Sequence, residues 1–129
     1  MTNDAQALQE IVERYNDAWN RHDVDAIVSM HAPEFVFHNW TANERVEADA
    51  VRDHIARIFR NTPSLRFSSR RLYVRDGLVV SEWTAHAERD GKQLEWDGVD
   101  VFPFEGGLIK RKDVYSSAHA PRMRDENVA

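Results

Sequence analysis

Two periodicities divide the chain at Pro63. Before it, apolar residues recur every three or four positions; after it, they alternate every second position. Leu8, Ile11, Val12, Tyr15 and Trp19 fall on one face of a 3.6-residue repeat, which predicts an amphipathic helix over residues 4–21. Asp23 suits the N-cap of a second helix reaching Met30, because its carboxylate can accept from free N–H groups of the first turn. Ala32-Pro33 stops that helix, and Phe35 to His38 reads as a short strand. Val51, Ile55, Ile58 and Phe59 define a third helix over residues 47–60, ended by Asn61-Thr62-Pro63.

Beyond Pro63 four strands are predicted, over residues 65–75, 78–88, 93–104 and 108–117. Asp76-Gly77, Asp90-Gly91 and Gly106-Gly107 join them, each pair suited to a two-residue hairpin turn. Helices first and an antiparallel meander afterwards imply an α+β fold with the helices on one face of a curved sheet. Residues 1–129 form one domain, with a polar, frayed tail over residues 121–129.

One position breaks the alternation. The third long strand presents Leu94, Trp96, Gly98, Asp100, Phe102 and Phe104 on one face, so a carboxylate sits in an apolar stripe. An ionised, unpaired acid there would cost several kcal/mol; Asp100 must be neutral, paired with a hydroxyl or arginine, or turned to a polar cavity. The functional form of that statement is an acid lining a ligand pocket.

Composition narrows the classes. The chain has 129 residues, 42 % hydrophobic and 30 % charged, which describes a globular protein with a sizeable core. No apolar run is long enough for a membrane span, and Met1-Thr2-Asn3-Asp4 does not begin a signal peptide. Cysteine is absent, so disulfide and thiolate chemistry are excluded and a cytoplasmic location is expected. A net charge of −5 argues against a nucleic-acid partner, and Arg66, Arg70, Arg71 and Arg75 mix both strand faces rather than forming a phosphate stripe. The histidines show no metal-binding spacing, so neither metal nor cofactor is expected. No phosphate loop or nucleophile elbow occurs. His31 and His38 are placed near the pocket mouth and His86 away from it.

The segments Tyr15-Asn16-Asp17-Ala18-Trp19-Asn20, His22-Asp23-Val24-Asp25-Ala26-Ile27, Ala32-Pro33-Glu34-Phe35 and Val101-Phe102-Pro103-Phe104-Glu105-Gly106-Gly107 resemble those of the nuclear transport factor 2-like superfamily. Ketosteroid isomerase, limonene epoxide hydrolase and SnoaL-like polyketide cyclases belong to it. The resemblance implies a cystatin-like cone, a bent sheet wrapped round the N-terminal helices and open at one end to a pocket. Fold alone does not set the reaction. Set beside ketosteroid isomerase, whose oxyanion hole pairs a tyrosine with a protonated aspartic acid, Tyr15 and Asp100 take those two places. Asn39 takes the place of the proton-abstracting aspartate, and an amide cannot serve as that base.

On the last strand, lysine's preference for water puts Lys110 and Lys112 outside and Arg111, Asp113 and Tyr115 inside. Asp113 resembles the aspartate of the epoxide hydrolases' Arg-Asp-Tyr segment, although Trp83-Thr84-Ala85 lacks their Arg-x-Asp pair. The alternative for Asp113 is a structural ion pair with Arg111. Two acids in one apolar pocket would be pushed apart in pKa, giving a neutral donor and an ionised base. The sequence therefore suggests a cofactor-free enzyme acting on a small hydrophobic carbonyl compound by cyclisation, isomerisation or dehydration. Asp113 serves as base, Asp100 and Tyr15 as donors, and Trp19, His38, Asn39, Trp83, Trp96, Phe102, Arg111 and Tyr115 as further pocket residues. The alternative is a non-catalytic ligand-binding or protein-interaction domain. The outer sheet face, with Glu82, Thr84, His86, Glu88, Asp97, Val99 and Val101, is where the resemblance implies a homodimer.

Overall fold

The structure, a computed structural model, describes residues 4–124. Helix α1 (Ala5–Asn20) starts at Asp4, whose side chain accepts from the Gln6 N–H, and it buries Leu8, Val12, Tyr15, Ala18 and Trp19. Helix α2 (Val24–Ser29) is capped by Asp23, which accepts from the Ala26 N–H at 3.0 Å. Strands β1 (His31–Asn39) and β2 (Glu44–Glu47) precede α3 (Ala48–Asn61), which buries Val51, Ile55 and Phe59. Four long strands follow: β3 (Arg66–Arg75), β4 (Leu78–Arg89), β5 (Lys92–Glu105) and β6 (Leu108–Ser116). Both residues of each connecting pair, Asp76-Gly77, Asp90-Gly91 and Gly106-Gly107, have positive φ, as the hairpin turns that match strand twist require.

The sheet order is β2-β1-β6-β5-β4-β3, and the fold is α+β with the helices held in the concave side of a curved, open sheet. The meander from β3 to β6 is antiparallel, whereas β1 joins β6 in parallel. Strand β1 is longer than the Phe35–His38 segment expected from sequence. It accommodates Pro33 because the β1–β6 pairing is irregular between His31 and Val36, where a ladder N–H is not demanded. The chain after Pro121 is not wholly frayed, since β7 (Arg122–Arg124) pairs with the start of β5. Arg122 binds Asp97 at 2.6 Å and Arg124 binds Glu95 at 3.2 Å, which fastens the strand; residues 125–129 lie outside the described residues.

The inner faces of β4 and β5 follow the alternation read from sequence: Val79, Ser81, Trp83, Ala85 opposite Phe102, Asp100, Gly98, Trp96. Gly98 has a packing reason. A Cβ there would meet the Trp83 ring at 2.1 Å, so the glycine is the space into which the indole lies. Strand β6 departs from expectation. Phe104 pairs with Ile109 but Val101 pairs with Asp113, so β6 carries one extra residue against β5. Such a bulge exchanges the faces of everything beyond it. Ile109, Lys112 and Val114 consequently face the core, and Arg111, Asp113 and Tyr115 face out.

Candidate functional site

A cavity of about 380 Å³ opens between α1, α3 and the concave face of the sheet. That is the low end of the range for small-molecule sites. Trp19 and Asn16 reach it from α1, Phe37 and Asn39 from β1, His54 and Ile58 from α3, Phe67 and Trp83 from β3 and β4, Trp96 and Asp100 from β5, and Lys112 and Val114 from β6. The walls are largely aromatic; Glu44 and Arg89 contribute exposed charges to the lining, and the buried charge is concentrated at one place.

That place is a buried ion pair. Lys112 Nζ donates to Asp100 Oδ2 at 3.0 Å, with the two side chains 8 % and 5 % exposed. The bulge in β6 brings the lysine inward, and β5 supplies the acid from the adjacent strand. Four rings surround the ammonium, their centroids 4.7 Å (Trp19), 5.2 Å (Phe102), 5.3 Å (Tyr15) and 5.7 Å (Phe37) from Nζ. Ring faces are electronegative, so they partly replace the water that the cation has lost. Asp100 Oδ1 has no protein partner, and neither do the indole N–H groups of Trp19 and Trp83. These three atoms are the buried side-chain polar atoms lacking a partner among the described residues, and all belong to residues lining this cavity.

Tyr15 lies behind this wall rather than in it. It is fully buried, stacks edge-on against Phe102, and its hydroxyl shares a 2.9 Å hydrogen bond with His31 Nε2. Burial holds the phenol well above its ordinary range; the nearby Trp19 N–H and Asp100 act on it more weakly and in opposite directions. Burial, assisted by the Lys112 ammonium, pushes His31 down to about 3, so its imidazole is neutral at pH 7. Burial also lowers His54, which sits at the cavity against the edge of Phe37.

The structure gathers Asp100, Trp19, Asn39, Trp83 and Trp96 at the cavity as the sequence suggested. Asn39 is partly committed there, its Oδ1 accepting from the Ala42 N–H at 3.1 Å. Phe102 is completely buried beneath the Lys112 ammonium and does not line the space. The expectations for six residues are corrected. Asp113 is outside, bound by Arg111 at 2.7 Å and by the Trp40 indole N–H at 2.9 Å. Arg111 accompanies it on the outer face, and Tyr115 is 47 % exposed there, its ring parallel to that of Trp40. His38 also points outward, stacked on Trp40 at 3.7 Å, because it alternates with the inward Phe37 and Asn39. Tyr15, expected beside Asp100, spends its hydroxyl on His31. Asp100, expected as a neutral donor against a second acid, has a lysine partner instead.

Lys112 is the residue that reading the sequence missed. The signal for it was Asp100 itself, since a buried acid calls for a cation and β6 is the strand beside it. Among the described residues no group of three or more His, Asp or Glu could hold a metal, and no helix is long and apolar enough to cross a membrane.

Comparison with known proteins places this geometry. Among solved structures, a putative SnoaL-like polyketide cyclase from Jannaschia sp. CCS1 superposes with a TM-score of 0.81 at 19 % identity, covering 90 % of this chain and 89 % of that one. The epoxide hydrolase/cyclase-like enzyme SalBIII, described in pyran ring formation in the polyether salinomycin, gives 0.80 at 21 % identity over 96 % of this chain and 100 % of that one. AclR, a putative hydroxylase from Streptomyces galilaeus, gives 0.74 at 16 % identity over 88 % and 80 %. At such identities these likenesses establish the fold and leave the reaction open. No curated protein matches the chain. The family model of the SnoaL-like domain matches residues 12–112, and the chain belongs to the SnoaL-like domain family, within the nuclear transport factor 2-like superfamily.

Proposed function

We propose that this SnoaL-like domain is a small-molecule enzyme that enolises a compact, largely apolar carbonyl compound, the step common to aldol cyclisation, isomerisation and dehydration. The observation that carries the reading is the Lys112–Asp100 ion pair set into an aromatic cavity. A buried ion pair stabilises little beyond what an apolar pair of similar volume would provide, so its place on a cavity wall points to chemistry.

The roles follow from the free valences. Lys112 gives one N–H to Asp100 and has two more, enough to hold a carbonyl oxygen as it gains negative charge. Asp100 Oδ1 is the unpartnered oxygen, suited to take a proton from the adjacent carbon. Trp19, Phe37, Trp83 and Trp96 exclude water and hold the flat part of the ligand. A preorganised donor contributes about 10²- to 10³-fold and a positioned base about 10²- to 10⁴-fold.

Exchange of carbon-bound hydrogen in deuterated water, measured over a panel of small ketones and aromatic polyketides, tests this. Wild type should exceed background, and Asp100→Asn should lose about 10²-fold or more. One observation favours the binding-domain alternative: Asp100 and Lys112 already satisfy each other's charge, while Asn39 stands where the isomerases carry their base. Tight binding with no exchange for any compound would select that alternative and overturn the enzymatic reading.

A further inference from the structure

We infer that Lys112 is a covalent carbonyl-capturing residue, forming a Schiff base with an aldehyde or ketone admitted to the cavity. The inference rests on the carbonyl class of ligand proposed above but goes beyond it, since enolisation by hydrogen bonding requires no covalent bond.

Three features of the structure carry it. The amine is at the wall of a cavity of about 380 Å³ rather than on the surface. Its surroundings are four aromatic rings and a single carboxylate, so little solvation has to be stripped from it before it attacks. A desolvated lysine in an apolar pocket is the form in which amines serve as nucleophiles toward carbonyls. Third, the proton it must shed has an acceptor in place, Asp100 Oδ2 at 3.0 Å.

The step balances without any co-reactant. The Lys112 ammonium passes one proton to Asp100, and the freed nitrogen lone pair attacks the carbonyl carbon as the C=O π bond opens. The new alkoxide takes that proton back. The second N–H proton then leaves through Asp100 to the hydroxyl, water departs, and a C=N bond forms. Ammonium plus carbonyl gives protonated imine plus water, with the charge at nitrogen +1 before and after. Asp100 therefore faces a cation at both ends of the step, and no uncompensated charge is left in the interior. The iminium, a stronger electron sink than a hydrogen-bonded carbonyl, lies beside the unpartnered Asp100 Oδ1.

The chain supplies its own controls. Its other lysines, Lys92 and Lys110, are both exposed. Wild-type protein is treated with a small aromatic aldehyde and, separately, an aryl methyl ketone, each with cyanoborohydride to reduce any imine to a stable secondary amine. Peptide mass spectrometry then locates the adduct. Labelling of Lys112 at least tenfold over Lys92, Lys110 and the α-amine, early in the reaction, is the expected result. Lys112→Arg keeps a cation beside Asp100 and should abolish the preferential adduct while leaving a cooperative unfolding transition. Preferential labelling without hydrogen exchange in any ketone would uphold the capture and reject the enolisation. Exchange in wild type with labels only on Lys92, Lys110 and the α-amine would overturn the capture and leave the enolisation standing.

Discussion

Replacing Lys112 by Met removes the charge and keeps most of the volume. Asp100 is 3 % exposed, its Oδ1 is unpartnered, and its Oδ2 is held by Lys112 alone. The variant thus leaves a bare carboxylate in the interior, and removing one member of a buried pair costs about 3–5 kcal/mol. With a urea dependence of about 1–3 kcal/mol per molar for a chain of this size, the midpoint should fall by at least about 1 M. The second half of the cycle sharpens the result. Lys112→Met with Asp100→Leu removes both charges, and such replacements are neutral or stabilising by about 1–4 kcal/mol. The double variant should regain the wild-type midpoint or pass it. Urea titrations followed by tryptophan fluorescence measure all three proteins, since Trp19 lies against the pair. A loss below about 1 kcal/mol for Lys112→Met would refute the reasoning, because that is the magnitude of an exposed pair.

The same packing sets other outcomes. His31 is held neutral with its pKa lowered from 6.5 to about 3, so the unfolded chain binds its proton first. Stability is then full above about pH 6.5 and falls on acidification toward 3, by up to about 1.4 kcal/mol per pH unit for this group. Urea midpoints from pH 7 to 4 should show a shallower slope in His31→Gln. Tyr15→Phe strands His31 Nε2, so it should lower stability by about 1–3 kcal/mol, read as a shift in the urea midpoint. Gly98→Ala forces the Trp83 ring to move and should cost about 1–3 kcal/mol, with a changed fluorescence maximum. Asp113→Asn should leave hydrogen exchange at the wild-type rate, since Asp113 is on the outer face beside Trp40, whereas Asp100→Asn should not. The homodimer that the family resemblance implies on the outer sheet face predicts that Glu82→Lys or His86→Glu weakens association; light scattering of a wild-type monomer at micromolar concentration would reject it.

Much of the fold was legible because local signals agreed with one another. Asp23 caps the helix it precedes, and the three turn pairs fix the register of the meander. The Asp100 stripe faces the core from Gly98 to Phe104, as alternation alone predicts. The site was legible on β5 and illegible on β6 for one physical reason. Alternation propagates only through an unbroken ladder, and the extra residue between Ile109 and Asp113 reverses it with no glycine or proline within that stretch of β6, the one nearby mark being Pro103 on the facing strand. Lysine's preference for water then pointed the wrong way, because Asp100 offered Lys112 a partner inside. The parallel pairing of β1 with β6 and the short β7 had no local signature either, since both depend on residues distant in sequence.

The four tryptophans allow the cavity to be tested as a ligand site directly. Trp19, Trp83 and Trp96 line it, and Trp40 is 46 % exposed on the outer face. The four indole N–H resonances, followed by proton–nitrogen NMR during titration with small aromatic ketones, report the place of binding. Saturable shifts of Trp19, Trp83 and Trp96 with Trp40 unmoved are the predicted result. Shifts confined to Trp40, or no saturable shift across the panel, would contradict the assignment of this cavity as the functional site.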